Sequence, residues 1–283
     1  MSKRNRVHYS ERTKPLIKLF QKLAYRHSTW EVFSDFLLMA ACSISNAVDP
    51  LYYDEREKQY MDTVKKYSKE EVNIFPEIFA ELVWALEQCA QEENMQDILG
   101  RVFHELELHN KWHGQFFTPQ HVSDMMAKIA IGEKDLTIER RGFVTVGEPA
   151  CGSGVMMISF AKAMQEAGYN YCSHMVADCT DIDLKCVHMC YIQLSLYGIP
   201  AIVRHGNTLS NDLAGWSQWL TPVYIMGGWS LWPWWKDADA MQEGGDPAAV
   251  SPPSTPETSE SADVKPEFDV TLHESEHGQF SLF

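Results

Sequence analysis

Apolar residues in the first 112 positions recur at helical spacing, and after residue 142 they gather in short unbroken runs. Recurrence at i, i+3, i+4 and i+7 marks a helix with one buried face, whereas a short apolar run between turn residues marks a buried strand. Ser10 caps a first helix that runs to Arg26. Ser28 or Thr29 opens a second, carrying Trp30, Val32, Phe33, Phe36, Leu37 and Met39. Asp49 followed by Pro50 starts a third. Ser68 with Glu71 has capping-box spacing and opens a fourth, with Ile74, Ile78, Phe79, Leu82, Val83 and Leu86 on its apolar face. Gln96 to Leu108 makes a fifth.

Strand-like runs then alternate with helical ones. Gly142 to Val146 reads as a strand, followed by the turn Gly147-Glu148-Pro149-Ala150-Cys151-Gly152-Ser153-Gly154 and a helix with Met156, Met157, Ile158, Phe160 and Ala161. His174 to Cys179 is a second strand. It ends at Thr180-Asp181-Ile182-Asp183, and a helix continues through Cys186, Met189 and Leu194. Ala201 to His205 is a third strand, ending in Gly206-Asn207-Thr208-Leu209. Strand, glycine turn and helix in repetition predict an α/β fold with a Rossmann-like sheet behind an α-helical domain. Gly152 and Gly154 let a ligand approach backbone where a Cβ would collide, and the following helix N-terminus suits anionic atoms. The dinucleotide fingerprint G-x-G-x-x-G is absent, and no G-K-[ST] follows to make a P-loop.

The run Glu148-Pro149-Ala150-Cys151-Gly152-Ser153-Gly154 resembles the S-adenosylmethionine loop of the N6-adenine DNA methyltransferases, most closely the modification subunits of type I restriction systems. The segment Asp97-Ile98-Leu99-Gly100-Arg101-Val102-Phe103 is similar to the same family's junction between its helical and catalytic domains. Phe116-Phe117-Thr118-Pro119, ahead of a helix from Gln120 to Ala130, resembles its F-[FY]-T-P segment. The resemblance implies that Phe117, Thr118 and Pro119 pack at the methionine end of S-adenosylmethionine. It also implies that Glu148, Pro149, Ala150, Gly152 and Gly154 form its loop, that Asp181 holds the ribose hydroxyls, that Ile182 packs on the adenine, and that Asn207 accepts from the adenine amine. An ordinary loop with a helix cap is the other reading of residues 116 to 119, and capping is compatible with the role of Asp181.

The resemblance spans about Asp97 to Leu209 and then departs. The family's Asn-Pro-Pro-Tyr or Asn-Pro-Pro-Phe, which accepts from the target adenine amine and stacks on the flipped base, is replaced at the expected distance by Thr221-Pro222-Val223-Tyr224. Thr221, Pro222 and Tyr224 are thus the candidate catalytic set in degenerate form, at the end of a fourth strand after which the sheet is truncated. Six of the nine tryptophans (Trp216, Trp219, Trp229, Trp232, Trp234 and Trp235) fall here. They read either as base-stacking groups or, preferably, as cover for a sheet edge left open. Cys172, Cys179, Cys186 and Cys190 with His174 and His188 contain no C-x-x-C pair, so no metal site is expected.

Charge divides the 283-residue chain. The net −15 is concentrated from Asp237 onward, where eleven Asp or Glu face one Lys, while the first 28 residues carry eight Lys or Arg against Glu11. The basic first helix reads as a phosphate-facing surface or as a solvated one. Seven cysteines without framework spacing, and no signal peptide, predict reduced thiols in the cytoplasm. The most apolar run, Phe33 to Ala41, is interrupted by Asp35 and is too short for a bilayer.

From 237 to 283 the composition predicts an acidic, Pro- and Ser-rich disordered tail. Its end, Gln279-Phe280-Ser281-Leu282-Phe283, resembles the bacterial β sliding-clamp binding peptide; a hydrophobic chain end without a partner is the plainer reading. The expected organisation is a helical domain over 1–112, a S-adenosylmethionine-binding domain over 113–236 and the tail. The expected partners are DNA, the clamp and a specificity or other subunit that supplies target recognition. The expected function is methyl transfer from S-adenosylmethionine to adenine N6 in DNA. The alternative is a catalytically lapsed, clamp-tethered binding or regulatory module.

Overall fold

The computed structural model describes residues 3–106, 108, 117–132, 136–210, 217–229 and 231. The amino-terminal helices are α1 (Lys3–Leu23), α2 (Thr29–Asn46), α3 (Tyr53–Val64), α4 (Lys69–Val72), α5 (Ile74–Gln91) and α6 (Ile98–Glu105). Their starts follow the local chemistry. Ser28 Oγ accepts from Glu31 N at the head of α2, and the Ser68/Glu71 capping box is formed in both directions. Asp49 caps a 3-10 turn, Pro50–Tyr52, from which α3 continues. The fourth helix of the sequence pattern is two pieces, α4 and α5, divided at Asn73. Pro76 has no N–H to donate to the carbonyl of Val72, so the first helix cannot run through unbroken.

Next come α7 (Gln120–Ile131), α8 (Leu136–Arg141), β1 (Val144–Glu148), α9 (Val155–Glu166), α10 (Tyr171–His174), β2 (Met175–Asp181), α11 (Leu184–Leu196), β3 (Ala201–His205), β4 (Ser217–Leu220) and α12 (Pro222–Met226). The three predicted strands form as β1, β2 and β3; the first two are shifted by one or two residues and the third spans the residues expected. They pair in parallel, with Glu148 opposite Cys179 and Asp181 opposite His205. This is the Rossmann-like part of the sheet.

β4 lies on the outer edge of β3 and runs antiparallel to it, with Ile202 opposite Leu220 and His205 opposite Ser217. The sheet order is β1-β2-β3-β4, so among the described residues β1 has no neighbour on its other side.

Arg56 on α3 explains why β4 settles there. Its buried guanidinium donates to Ser45 Oγ, to Asp49 Oδ2 at 3.0 Å and to Gln218 O at 2.7 Å, and it lies 4.1 Å from the Trp219 ring centroid and 4.6 Å from that of Tyr52. The helical layer therefore grips β4 directly. One core cluster runs from Leu16 and Phe20 through Leu82 and Val102 to Ile158, Tyr191 and Trp219, joining the helical residues and the sheet across the expected boundary at 112. On the other face Phe143, Val176, Ile202, Tyr224 and Trp229 form a smaller cluster. Trp219 and Trp229 are both buried, Trp219 against His188 and Tyr191, and Trp229 against Phe143 at 5.4 Å. Trp216, Trp232, Trp234 and Trp235 lie outside the described residues. No described helix is long and apolar enough to cross a membrane.

Candidate functional site

The Gly-rich turn leaves β1 and is drawn across to the end of β2. Cys151 N donates to Thr180 O at 2.9 Å, and Gly152 N donates to Asp181 Oδ2 at 2.9 Å. Glu148 Oε1 accepts from Ala150 N at 3.2 Å. Two glycines are needed here. Gly152 has φ +53°, and a Cβ on it would lie 3.0 Å from the Phe117 ring. Gly154 has φ +94°, and a Cβ on it would meet Cys190 Sγ at 3.1 Å. Both sit in left-handed backbone that other residues adopt only at a cost. Gly154 then heads α9.

The ends of β2 and β3 close on the same place. Asp181 Oδ1 accepts from Asp183 N at 2.9 Å, and Gly206 N donates to Asp181 O at 3.0 Å. Asn207 is exposed, with its Oδ1 accepting from Leu209 N at 3.0 Å, and Thr208 Oγ1 donates to Pro149 O at 2.7 Å. Ile182 is 67% exposed at the same end. Glu148, Asp181, Ile182 and Asn207 thus assemble at the carboxyl ends of three parallel strands, where ligands of open α/β sheets bind. Phe117 lies against Gly152, and Phe117, Thr118 and Pro119 line a neighbouring cavity of about 530 Å³ with Asp97, Gly100, Arg101, His104, Glu105, Gln120, His121, Asp124 and Val155.

A supporting network was not foreseen from the sequence. Asp97 caps α6 through Gly100 N at 2.8 Å, accepts from Gln193 Nε2 at 2.8 Å and accepts from Ser153 Oγ. Gln193, fully buried on α11, also donates to Ser153 O at 2.8 Å, while its Oε1 accepts from Ile98 N and Leu99 N at 2.8 and 3.0 Å. Two sequence signals point to it: the Asp97–Phe103 resemblance and the polar Gln193 inside the apolar stretch of α11. Gly100 is required by the contact, because a Cβ there would lie 2.7 Å from Ser153 Oγ.

Thr221, Pro222 and Tyr224 are not part of this assembly. Because β4 is antiparallel, its end lies beside the start of β3. Thr221 is fully buried there, with Oγ1 donating to Ile199 O and accepting from Ala201 N, both at 2.9 Å. Pro222 begins α12, and Tyr224 is buried in the cluster with Phe143 and Trp229. The glycine loop is at the opposite ends of the strands. The three residues expected as the catalytic set thus lie at the end of β4, beside the start of β3. Gln279, Phe280, Ser281, Leu282 and Phe283 lie outside the described residues.

Cys151, Cys179 and Cys190 meet beneath the loop. Hydrogen bonding to the neighbouring thiols, with burial, pushes Cys151 and Cys190 well above the usual thiol range. Among the described residues no group of His, Cys, Asp and Glu has metal-holding geometry.

A type I restriction enzyme MpnII methylase subunit from Mycoplasma pneumoniae is 27% identical over 106 residues, which are 38% of this chain and 18% of that protein. The chain therefore matches less than a fifth of that relative's length. Among solved structures, a class I S-adenosylmethionine-dependent methyltransferase from Listeria monocytogenes aligns over 72% of this chain and 56% of its own, with 14% identity and a TM-score of 0.40. The type I restriction-modification methyltransferase subunit from Streptococcus thermophilus aligns over 74% and 60%, with 14% identity and a TM-score of 0.33. Residues 94–255, more than half of the sequence, match the N-6 DNA methylase family, and the chain belongs to that family.

Proposed function

We propose that this chain is an N6-adenine DNA methyltransferase-like protein that binds S-adenosylmethionine at the carboxyl ends of β1, β2 and β3 and does not activate the target adenine with its own Thr221-Pro222-Val223-Tyr224. The methyl donor of the family is S-adenosylmethionine, which supplies an electrophilic methyl group. The residues present suit it. Gly152 and Gly154 keep the loop free of side chains at positive φ. Asp181 uses one lone pair of each carboxylate oxygen on Gly152 N and Asp183 N, which leaves acceptor capacity for ribose hydroxyls. Asn207 offers an exposed amide for the adenine edge.

The observation that carries the second half of the reading is the direction of β4. A buried Thr221 whose hydroxyl is already bonded at both its donor and an acceptor position has no means of accepting from a flipped base at the far end of the sheet. Acceptor-side residues then come from outside the described part of the chain or from a second subunit. The C-terminal Gln279–Phe283 peptide remains a proposed tether to the sliding clamp, supported by its likeness to the clamp-binding motif.

Transfer of a tritiated methyl group to adenine-containing duplex DNA tests the reading. The purified chain is expected to give none, and Thr221→Asn none either. Adenine methylation by the wild type that is abolished by Thr221→Val would overturn it.

A further inference from the structure

Two unpartnered surfaces share one edge of the fold. Among the described residues β1 pairs with β2 and has no strand on its other side. β2, with neighbours on both sides, is buried along most of its length. In β1, Val144 and Val146 are only half-buried against the helical core, and Thr145 and Gly147 are exposed on the other face. A Cβ on Gly147 would meet nothing within 4 Å. Edge strands are commonly blunted by a lysine, a proline or a bulge. Val144-Thr145-Val146-Gly147-Glu148 contains neither residue, and its register with β2 is unbroken.

The helical layer ends at the same edge. α9 packs between α7 and α11, and α11 lies against β2 and β3, so α7 is the outermost helix on the β1 side. Ser123, Ala127 and Ile131 are its buried face, and Lys128 Nζ reaches Glu166 Oε2 of α9 at 2.6 Å. Met125, Met126 and Ile129 are 57%, 47% and 73% exposed. At 3.6 residues per turn, Met125 and Ile129 lie opposite Ala127 and face away from α9. Large apolar side chains grouped on one exposed helix face mark an interaction surface.

Charge and symmetry select the occupant. Ahead of β1, Arg140 is exposed, and Arg141 lies 5.0 Å from the Phe143 ring centroid with Nη2 enclosed and without a hydrogen-bond partner among the described residues. Glu148 stands at the other end of the strand. A second copy of β1 running antiparallel sets the basic start of each strand beside the acidic end of the other. A twofold axis normal to the sheet produces that pairing and keeps both helical layers on one side, so that α7 meets α7 of the second copy. One symmetry operation therefore covers the strand edge and the apolar helix face together.

We propose that the free edge of β1 and the outer face of α7 form a twofold interface between two copies of this chain, joining two four-stranded sheets across paired β1 strands. The proposal is independent of the cofactor reading above.

Sedimentation velocity of the full chain over a concentration series, with amide hydrogen exchange below and above the midpoint of association, tests it. The chain is expected to dimerise with a Kd on the order of 10 μM, as suits a contact of one strand and one helix face. The amides of β1 are expected to exchange about tenfold more slowly once the dimer forms. The double variant Met125→Lys/Ile129→Lys, at two exposed positions, is expected to weaken association by about tenfold or more, because it sets like charges against each other across the axis. A wild-type chain that stays monomeric at about ten times the expected Kd overturns the proposal. So does a dimer that leaves β1 exchange unchanged, or one equally strong in the double variant. A chain that dimerises only when cut after residue 236 also overturns it, and assigns the edge to a later segment of the same chain. The wild-type exchange comparison decides the matter even where the double variant fails to fold.

Discussion

Gln193 Nε2 on α11 donates to the backbone carbonyl of Ser153 at 2.8 Å, tying the glycine loop to the helix that follows β2. The same side chain satisfies Ile98 N and Leu99 N, so one fully buried amide uses all of its hydrogen-bonding capacity to join loop, α6 and α11. A buried polar group satisfied at every position specifies a geometry, and removal of one member strands the others without water.

Gln193→Leu is therefore expected to destabilise the protein by about 3 kcal/mol, since several buried donors and acceptors lose their partner together. Urea unfolding of the variant and the wild type checks this, and cofactor affinity should fall in parallel because Ser153 is no longer fixed. A midpoint unchanged from the wild type would contradict the role given to Gln193.

Thr221→Val keeps the shape and removes the hydroxyl that bridges Ile199 O and Ala201 N. The expected cost is about 1–2 kcal/mol of stability, with affinity for S-adenosylmethionine unchanged within twofold. A selective loss of cofactor affinity in a stable variant would place Thr221 back at the site.

Arg56 is buried in contact with Asp49, Ser45, Gln218 O and two aromatic rings. Arg56→Met leaves the Asp49 carboxylate buried without its cation, at an expected cost of about 3–5 kcal/mol. Adding Asp49→Asn should recover a good part of it, which a double-mutant cycle measures.

Much of this architecture was legible in the sequence because it is local. The capping box at Ser68 and Glu71, the strand-turn-helix at Glu148–Val155 and the acid at the end of β2 are each fixed by residues close in the chain. Strand direction is not local. The run ending at Thr221 looks the same whether it joins the sheet parallel beside β1 or antiparallel beside β3. The choice is made by Arg56, 162 positions before the Gln218 carbonyl that it holds. Gln193 was illegible for a related reason, since its partners lie 94, 95 and 40 positions away.

Acid should weaken the fold through His188. This ring is fully enclosed against Trp219 at 4.8 Å, and burial pushes its pKa from the usual value near 6.5 down to about 3. The unfolded chain then binds a proton that the folded one refuses, so stability falls as pH drops from about 6.5 towards 3, by up to ~1.4 kcal/mol per pH unit from this group. His188→Gln, neutral throughout, should flatten that part of the profile of unfolding free energy against pH. A profile of unchanged slope would assign the acid sensitivity to other groups.

The S-adenosylmethionine site proposed at the ends of β1, β2 and β3 can be tested by binding alone. Calorimetric titration of the purified chain with S-adenosylmethionine, beside a variant truncated after residue 236 and a Gly154→Val variant, tests it most directly. Micromolar binding is expected of the full chain and the truncated one, and loss of binding of Gly154→Val, whose side chain would meet Cys190. No binding by the full chain at millimolar S-adenosylmethionine would contradict it.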